Sequence, residues 1–322
     1  MSYNQLTEGE RYQIQSYLKA GYTQKEVADA LGRSASTISR ELSRNRGLKG
    51  YRPKQAHRLA TQRRLNAEKA IKVTEQVAGW VERLIRQELS PAQAAAYIAK
   101  EHGVSLHHET IYQMILADKA NGGDLYTHLR IMSKPYRKRY GSYDSRGRIR
   151  NRKSIDERPA IVDQKKRLGD WEGDTIIGKG RKGALLTMVD RKSLFVVIGR
   201  LGGKNASALA DELIASFSEL SPPLTTITFD NGLEFADHER ISSELGVDIY
   251  FAHPYSSWER GANENTNGLI RQYFPKGMDL TTVTDEDIQF VMDRLNDRPR
   301  ETLGWKTPNE VLWGQTVDLL AA

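Results

Sequence analysis

The order of apolar and polar positions divides the chain into a helical front half and a back half in which strands alternate with helices. In the front half, apolar side chains recur at helical spacing, first at Ile14, Tyr17 and Leu18 and again across residues 77–85. In the back half, apolar and polar residues alternate over residues 226–229, as in a half-buried strand. The pattern therefore predicts all-α units followed by an α/β domain.

The first helical unit has the spacing of a helix-turn-helix. Thr7 and Thr23 each stand three residues before a Glu, which is the arrangement of a capping box, and they open the first two helices. A third helix is predicted over residues 35–44, with Ile38 facing the core and Gly32 in the preceding turn. We interpret this third helix as one that enters the DNA major groove; the alternative is a plain helical bundle with solvated polar residues. Its candidate DNA contacts are Ser36, Thr37, Ser39, Arg40 and Arg44.

A second helical unit, over residues 73–131, repeats this pattern. Ser90 and Pro91 mark a helix start, and residues 101–105 break the helix before another begins at His108. We predict a second helix-turn-helix here, against the alternative of a structural helix pair. Its exposed candidates for DNA contact are His107, His108, Thr110 and Gln113.

Charge is divided unevenly between the two halves. Residues 1–153 hold 29 Lys and Arg against 14 Asp and Glu, whereas residues 154–322 hold 19 against 27. A basic front half is typical of a protein that holds a polyanion such as DNA. Cysteine is absent, which excludes disulfides and thiolate metal sites. No apolar run approaches membrane-spanning length and no signal pattern opens the chain, so we expect a cytoplasmic protein without membrane segments.

Two basic stretches separate the predicted units. Residues 49–72 follow the first unit, at residues 1–48, and residues 132–154 precede a final unit at residues 155–322. The second stretch has few apolar side chains and cannot bury enough surface to fold alone. Both stretches are predicted to be basic linkers that lie along DNA. The alternative is a solvated helix for the first stretch and a solvated linker for the second. The candidate DNA contacts in the second stretch are Arg137, Lys138 and Arg139.

The final unit alternates strands with helices. Three strands over residues 170–177, 184–190 and 194–200 are closely spaced, which predicts an antiparallel meander. An amphipathic helix over residues 205–220 and the strand at residues 226–229 follow. Composition and spacing alone indicate an α/β domain without specifying its fold.

Three acids of this unit occupy positions suited to a metal site. Asp174 lies within the first strand, Asp230 directly follows the strand at residues 226–229, and Glu264 falls in a later predicted helix. The carboxyl end of a strand is where an open α/β sheet presents its ligands. Carboxylates from two strands and a helix suit a hard divalent cation, which takes oxygen ligands. Taken singly, each acid is also typical of a cap or a surface ion pair.

Three phrases surround these acids. They are Trp171-Glu172-Gly173-Asp174, Thr228-Phe229-Asp230-Asn231-Gly232 and Arg260-Gly261-Ala262-Asn263-Glu264-Asn265, with thirty-three residues between the last two acids. Together with the closing Asn296-Asp297-Arg298-Pro299-Arg300, they resemble the DDE transposases, and in particular the insertion-sequence-thirty family of bacterial transposases. The resemblance covers nearly the whole chain, and it implies a ribonuclease H-like fold for the final unit.

The resemblance also implies an activity. It indicates a transposase that binds the terminal inverted repeats of its element, cleaves them and transfers strands to target DNA. Asp174, Asp230 and Glu264 would bind two Mg²⁺ ions, for which Mn²⁺ can substitute. Water would be the first nucleophile and a 3′-hydroxyl the second, so no covalent protein intermediate is needed.

Two arginines complete the predicted site, and two further acids compete with Asp174 for its role. The resemblance implies DNA contacts for Arg260 and for Arg271, which lies two helical turns after the third acid. Glu172 and Asp190 are the acids that compete with Asp174. Glu172 lies two residues away and therefore shares the sheet face of Asp174. The family match selects Asp174 over both.

Other interpretations remain open at this point. A transcriptional repressor that binds repeated sequences and carries an inactive ribonuclease H-like domain is the main alternative, and a nonspecific nuclease is disfavoured by the two helix-turn-helix units. Two element ends must be joined, yet each chain has one set of the three acids. We therefore expect a homodimer or higher homo-oligomer on double-stranded DNA. The same interpretation places the protein at the bacterial nucleoid. Whether each subunit cuts the end that it binds is not defined by the sequence.

Overall fold

Backbone contacts divide the chain into two units, residues 1–71 and residues 72–322. The computed structural model describes residues 5–48, 50–66, 73–130, 149–202, 205–254 and 256–321. Within these ranges, no helix is long and apolar enough to cross a membrane.

The described part of the N-terminal unit contains four helices: α1 (Glu8–Lys19), α2 (Gln24–Ala30), α3 (Ala35–Asn45) and α4 (Pro53–Leu65). The predicted capping boxes are present, because the Thr7 and Thr23 side chains each accept a hydrogen bond from the backbone N–H three residues on. Ile14, Val27 and Ile38 are fully buried and join α1, α2 and α3 in one core. Each such side chain contributes about 1.5–3 kcal/mol by leaving water.

A buried ion pair crosses this core. The Arg11 and Glu41 side chains are 5% and 6% exposed, with Nε and Oε1 2.8 Å apart. Asn45 Nδ2 donates to Glu41 Oε2 at 2.8 Å, and the Tyr51 hydroxyl donates to Oε1 at 3.2 Å. Burial and the neighbouring Glu41 charge raise the pKa of Tyr51. Glu41 thus ties α3 to α1 and to the chain segment before α4.

Helix α4 lies within the stretch predicted to be a basic linker, at residues 49–72. Pro53 and Ala56 are buried, and the helix contacts both α1 and α3. Arg63 Nη2 donates to the Arg44 carbonyl at 2.9 Å and to Asn45 Oδ1 at 3.1 Å. The helix is therefore a packed part of the N-terminal unit. Its weak amphipathic pattern hid this, because short buried alanines leave little periodic signal.

Three helices begin the second unit: α5 (Glu75–Arg86), α6 (Pro91–His102) and α7 (His108–Ala120). Leu84, Ile98 and Ile111 are fully buried in their shared core. Ser90 caps α6 by accepting from the Gln93 N–H, as the Ser-Pro start predicts. Helices α6 and α7 are thus present on either side of the predicted break, and the helix-turn-helix itself stays a prediction.

The end of the chain packs against these helices. Leu319 is buried in the same core. The Tyr97 hydroxyl donates to Asp318 Oδ1 at 3.0 Å and accepts from the Leu319 N–H at 2.8 Å. Gln87 Nε2 donates to the Leu319 carbonyl at 2.7 Å. The α5–α7 helices and the sheet domain therefore share one packed unit.

Within the described ranges, the sheet has six strands: β1 (Lys153–Ser154), β2 (Asp170–Ile177), β3 (Ala184–Asp190), β4 (Val196–Leu201), β5 (Thr226–Phe229) and β6 (Asp248–Phe251). Their order is β1-β6-β5-β2-β3-β4. Strands β2, β3 and β4 form the predicted antiparallel meander, and β5 pairs parallel with both β2 and β6. The edge strand β1 was not predicted, because two residues are too few to show a period.

Helices cover both faces of the sheet. Helices α8 (Ala206–Leu220) and α9 (His238–Leu245) bury one face, and α10 (Gly261–Tyr273) and α11 (Asp285–Asn296) bury the other. Side chains of β3 alternate between the two cores, with Leu186 on the α8 side and Leu185 on the α10 side. The Asn296 side chain accepts from the Val196 N–H at 2.8 Å and donates to the Val196 carbonyl at 2.9 Å. These two bonds satisfy the outward-facing backbone groups of Val196 on the edge strand β4. The short helix α12 (Pro308–Leu312) follows.

Candidate active site

The Glu172-Gly173-Asp174 sequence of β2 is shaped by close packing. A Cβ on Gly173 would lie 2.3 Å from the Phe229 ring and 2.9 Å from the Met188 sulfur, so this position has no room for a side chain. Glu172 and Asp174 alternate with it and both reach α10, where they contact residues of that helix. Strand alternation thus places the candidate acid on the α10 side of the sheet.

Asp230 lies directly after β5, at the carboxyl end of that strand. Its Oδ1 accepts the Gly232 N–H at 2.9 Å, and Asn231 Nδ2 donates to a backbone carbonyl just after β6 at 2.6 Å. These bonds hold the turn against the neighbouring strand. Asp174 and Asp230 line one cleft of about 720 Å³, together with the buried Glu234. Two of the three predicted acids are therefore brought together.

The Arg260 guanidinium lies between these two carboxylates. Its Nη1 is 3.8 Å from Asp174 Oδ2, and its Nη2 is 3.6 Å from Asp230 Oδ2. Nη1 also donates to the Gly173 carbonyl at 3.1 Å. Burial raises the pKa of Asp174, the Arg260 charge opposes that rise, and the Asp230 charge adds to it. The predicted DNA contact Arg260 is thus engaged with the acids of the cleft.

The third predicted acid, Glu264, is exposed in the first turn of α10 and does not line the cleft. Asn267, one helical turn later, donates from Nδ2 to Asp174 Oδ2 at 2.9 Å and accepts from the Thr187 hydroxyl at 3.0 Å. Residues three apart share a helix face, so Glu264 lies on the side of α10 that meets Asp174. Asn267 was not predicted as a site residue, although its position three residues after Glu264 places it on the same face of the helix.

The donor chemistry of the cleft suits a hard cation. Asp174 and Asp230 offer carboxylate oxygens, and the single guanidinium of Arg260 lies 3.8 Å from one and 3.6 Å from the other. Across the described ranges, no three His, Asp or Glu side chains are grouped closely enough to hold a metal ion. A complete three-acid site therefore needs the Glu264 side chain to turn toward the other two.

Arg271 lies in the last turn of α10, on the same face of the helix as Glu264 and Asn267. Its Nη2 donates to the Ile177 carbonyl at 2.8 Å, and its Nη1 donates to the Phe274 carbonyl at 3.3 Å. Burial lowers the pKa of Arg271. The guanidinium thus links the end of β2 to the end of α10, which further fixes the helix against the strand.

Three of the five predicted contacts on α3 line a basic groove of about 510 Å³ in the N-terminal unit. Thr37, Arg40 and Arg44 line the groove, whereas Ser36 and Ser39 lie exposed on the same helix. All five predicted positions on α3 are therefore at least partly accessible, as a DNA-reading helix requires.

Helix α4 adds two further arginines to this groove, which the sequence interpretation placed in a linker. They are Arg63 and Arg64, and both are exposed. The buried acid Glu41 is already paired with Arg11. The groove therefore carries a surplus of positive charge, which suits phosphate groups.

The second helical unit presents its candidates on α7. Thr110 is half-buried and Gln113 is exposed, with its Nε2 donating to Glu109 Oε1 at 2.8 Å. The rings of His107 and His108 lie 4.2 Å apart at the start of this helix. The predicted contacts Arg137, Lys138 and Arg139 lie outside the described residues.

Two protein families match separate parts of the chain. A family described as helix-turn-helix domain matches residues 2–45, which contain α1–α3. A family described as integrase core domain matches residues 164–257, which contain β2–β6. The predicted fold class, an all-α helix-turn-helix region followed by a ribonuclease H-like domain, is confirmed. These matches define a DNA-binding enzyme that cleaves and transfers DNA.

Full-length relatives give the particular family. The transposase for insertion sequence element IS4351 of Bacteroides fragilis is 43% identical, with 95% of this chain and 94% of that protein covered. Transposase InsI for element IS30A of Escherichia coli is 37% identical, over 95% and 83% of the two chains. The chain belongs to the insertion-sequence-thirty (IS30) family of transposases, which confirms the resemblance. Among solved structures, the catalytic core domain of BIV integrase matches at 18% identity and a TM-score of 0.35, over 45% of this chain and 93% of that one.

Proposed function

We propose that this transposase uses Asp174, Asp230 and Glu264 to bind divalent metal ions for phosphodiester cleavage and strand transfer at the ends of its element. The observation that carries the proposal is the pairing of Asp174 and Asp230, from neighbouring parallel strands, in one open cleft. Two carboxylates that share a site repel each other unless positive charge lies between them. Arg260 supplies part of that charge, and metal ions are the natural complement.

Mg²⁺ is the expected ion, with Mn²⁺ as a substitute, because both take carboxylate oxygen and water as ligands. Two such ions, when bound, supply the positive charge that the attacking and leaving oxygens of an in-line displacement require. Asp174, Asp230 and Glu264 are the residues that would hold them.

The chain's own residues prepare this site. Asp174 Oδ1 accepts the Thr175 N–H at 2.8 Å and Oδ2 accepts from Asn267, so the carboxylate has a fixed orientation before any ligand binds. The Thr187 hydroxyl donates to Asn267 Oδ1, which directs the amide nitrogen toward the acid. We propose that Arg260 contacts a DNA phosphate at the cleft and that Arg271, on the same side of α10, contacts DNA nearby.

The terminal inverted repeats are the proposed ligand of the helical units. Support comes from the exposed polar face of α3 and from the basic groove that α4 completes. We propose that the first DNA-binding domain, predicted at residues 1–48, extends through α4, because that helix packs on α1 and α3. The second DNA-binding domain would be residues 73–131, and residues 132–154 would be a basic linker whose last two residues form β1 of the catalytic domain at 155–322. In the second domain Thr110 and Gln113 would face DNA, and in the second linker Arg137, Lys138 and Arg139 would contact phosphates.

One experiment separates an active enzyme from a repressor with an inert core. Purified protein is incubated with end DNA in Mg²⁺, in Mn²⁺ and with a chelator, and strand cleavage and joining are followed. We expect both reactions with either metal and neither with the chelator. Specific binding without cleavage under all three conditions would favour the repressor.

We also propose that the active species is at least a homodimer on DNA, because two ends must be joined and each chain carries one set of acids. The test mixes an Asp230→Asn protein with an Arg40→Ala, Arg44→Ala protein. Recovered cleavage, where neither protein alone is active, would show that one subunit binds the end that its partner cuts. If two folded and associating variants show no recovery at any ratio, each subunit cuts the end that it binds.

A further inference from the structure

Glu172 is a buried carboxylate that the proposed chemistry does not use. It is 1% exposed, and its Oε1 accepts from Arg191 Nη1 at 2.9 Å. Its Oε2 accepts from the Asn263 backbone N–H at 3.0 Å. Asn263 belongs to the first turn of α10, where the N–H groups have no partner within the helix. A carboxylate from a strand therefore caps the helix that carries Glu264.

The helix has no cap of its own. Its N-cap residue is Arg260, whose side chain makes no capping hydrogen bond. Ser, Thr, Asp and Asn are the residues that normally serve there. The negative charge of Glu172 also lies at the positive end of the helix dipole, which favours it. Glu172 therefore replaces the missing local cap with one supplied by β2.

Three successive positions of β2 contact the same helix or its N-cap. Glu172 accepts from the Asn263 N–H, the Gly173 carbonyl accepts from Arg260, and Asp174 accepts from Asn267. These contacts span the first two turns of α10. The backbone of Glu264, directly after Asn263, is thereby held in register with Asp174.

Arg191 fixes Glu172 in turn. The Arg191 side chain is 6% exposed and follows β3, and its Nη1 also lies 3.4 Å from the Glu259 carbonyl, just before α10. Asp163 lies 3.5 Å from its Nη2. The ion pair thus joins β2, the end of β3 and the approach to α10, so Glu172 cannot turn away from the helix without losing a buried partner.

We propose that Glu172 is a positioning residue that caps α10 and thereby sets the position of Glu264 relative to Asp174. This inference rests on the proposed metal-dependent function for its effect on activity. Its structural core, the cap from β2 to α10, does not depend on that function. Glu172 acts through the helix and does not touch the reacting atoms.

The first test needs neither metal nor DNA. Amide hydrogen exchange is measured by mass spectrometry on the full-length wild type, Glu172→Gln and Glu172→Ala. Loss of a helix cap favours opening of the first turn, so exchange of peptides covering residues 261–267 should rise about fivefold or more in Glu172→Ala. Glu172→Gln keeps an oxygen acceptor and should show a smaller rise. Unchanged exchange in both variants would overturn the inference.

Asp190→Asn is the matched control. Asp190 is also a buried acid at the sheet, but it accepts from the N–H groups of Gly169, Lys192 and Ser193, none of which belongs to α10. We expect it to lower the melting temperature without faster exchange at residues 261–267. Equal acceleration there in Asp190→Asn would mean that general destabilisation explains the effect.

The second test measures end cleavage as a function of Mg²⁺ concentration. If Glu264 is misplaced, Glu172→Ala should need at least about tenfold more Mg²⁺ for half-maximal rate, because a metal ligand is held less well, while end-DNA affinity stays unchanged. Glu172→Gln should restore part of the shift, and Asp190→Asn should not show it. An unchanged Mg²⁺ requirement in Glu172→Ala would contradict the positioning role even if the rate falls.

The two tests separate failure of this inference from failure of the proposed function. If the wild type does not cleave end DNA, the catalytic proposal fails, and hydrogen exchange still decides whether Glu172 caps α10. If the wild type cleaves and exchange is unchanged, the inference alone fails. If Glu172→Ala does not fold, the comparison of Glu172→Gln with Asp190→Asn still decides.

Discussion

The basic groove of the N-terminal unit and the cleft of the sheet domain combine the same two residue types in opposite ways. In the groove, the acid Glu41 is buried and paired with Arg11, while Arg40, Arg44 and Arg64 remain on the surface. In the cleft, the acids line the open space and one arginine lies between them. The groove therefore carries excess positive charge, and the cleft carries excess negative charge.

This contrast agrees with the proposed function, in which the groove binds DNA and the cleft binds metal ions. A surface with uncompensated guanidinium groups attracts phosphates, whereas a cleft with uncompensated carboxylates attracts cations. The net charge of the two halves agrees with this contrast, because residues 1–153 are net basic and residues 154–322 are net acidic. If the comparison is right, loss of a cleft acid should stop chemistry without loss of DNA binding, and loss of a groove arginine should do the reverse.

The largest expected effect comes from removing a cleft acid. Asp230→Asn should lower cleavage and joining about a thousandfold or more, because metal ligation contributes several kcal/mol to transition-state stabilisation. Specific binding to end DNA should stay within about twofold of wild type, since the DNA-binding surfaces are intact. Gel-based cleavage and fluorescence anisotropy measure the two quantities. Asp237→Asn, which changes an acid that does not line the cleft, is the control; a cleaving Asp230→Asn protein would remove Asp230 from the site.

The next effect concerns the buried pair behind the groove. Glu41→Ala leaves Arg11 buried without its acid and also removes the acceptor for Asn45 and Tyr51. Breaking a buried ion pair in this way should cost about 3–5 kcal/mol, enough to unfold the N-terminal unit selectively. Hydrogen exchange in α1–α3 of the full chain should rise toward the unfolded limit, with residues 164–257 unchanged. Glu8→Gln, at a largely exposed acid, should leave exchange unaltered.

A smaller effect is expected from a groove arginine. Arg40→Ala should weaken binding to the cognate repeat by about 1–3 kcal/mol and binding to random DNA by less, if Arg40 reads a base edge. Titrations at several salt concentrations measure both affinities. Arg64→Ala, on α4, should instead weaken both equally and reduce the salt dependence by about one phosphate contact. Equal losses on both DNAs for Arg40→Ala would mean that it contacts phosphate only.

The smallest effect is a pH dependence before α10. His253 Nδ1 lies 2.8 Å from Glu259 and Nε2 lies 3.0 Å from Asp156, and these carboxylates raise the pKa of His253, Glu259 most. Because the folded pKa is raised, the stabilisation is fully present below the unfolded pKa of about 6.5 and is lost as pH rises through the folded pKa. Hydrogen exchange of residues 252–260, corrected for intrinsic pH effects, should therefore increase as the pH rises from about 6.5 through the folded pKa of His253. His253→Gln should abolish this step; a persisting step would assign it to another group.

Much of this protein follows from local chemistry that a sequence displays. Capping boxes at Thr7 and Thr23, the Ser-Pro start of α6 and the closely spaced strands β2–β4 depend on residues near one another in the chain, so they were predicted and observed. Asp230 could be placed at a strand end for the same reason. The ordered phrases around the acids were sufficient to indicate the IS30 family.

Other features depend on residues far apart in the chain, whose partners no local pattern specifies. The packing of α4 on α1 and α3, the short strand β1, and the docking of Leu319 on α5–α7 are of this kind. The contact made by Glu172 is another example. Strand alternation placed Glu172 on the same sheet face as Asp174, and tertiary packing brought its carboxylate to the N-terminal end of α10. Strand alternation defines which face a side chain takes, but only the approach of α10 defines which group it meets there.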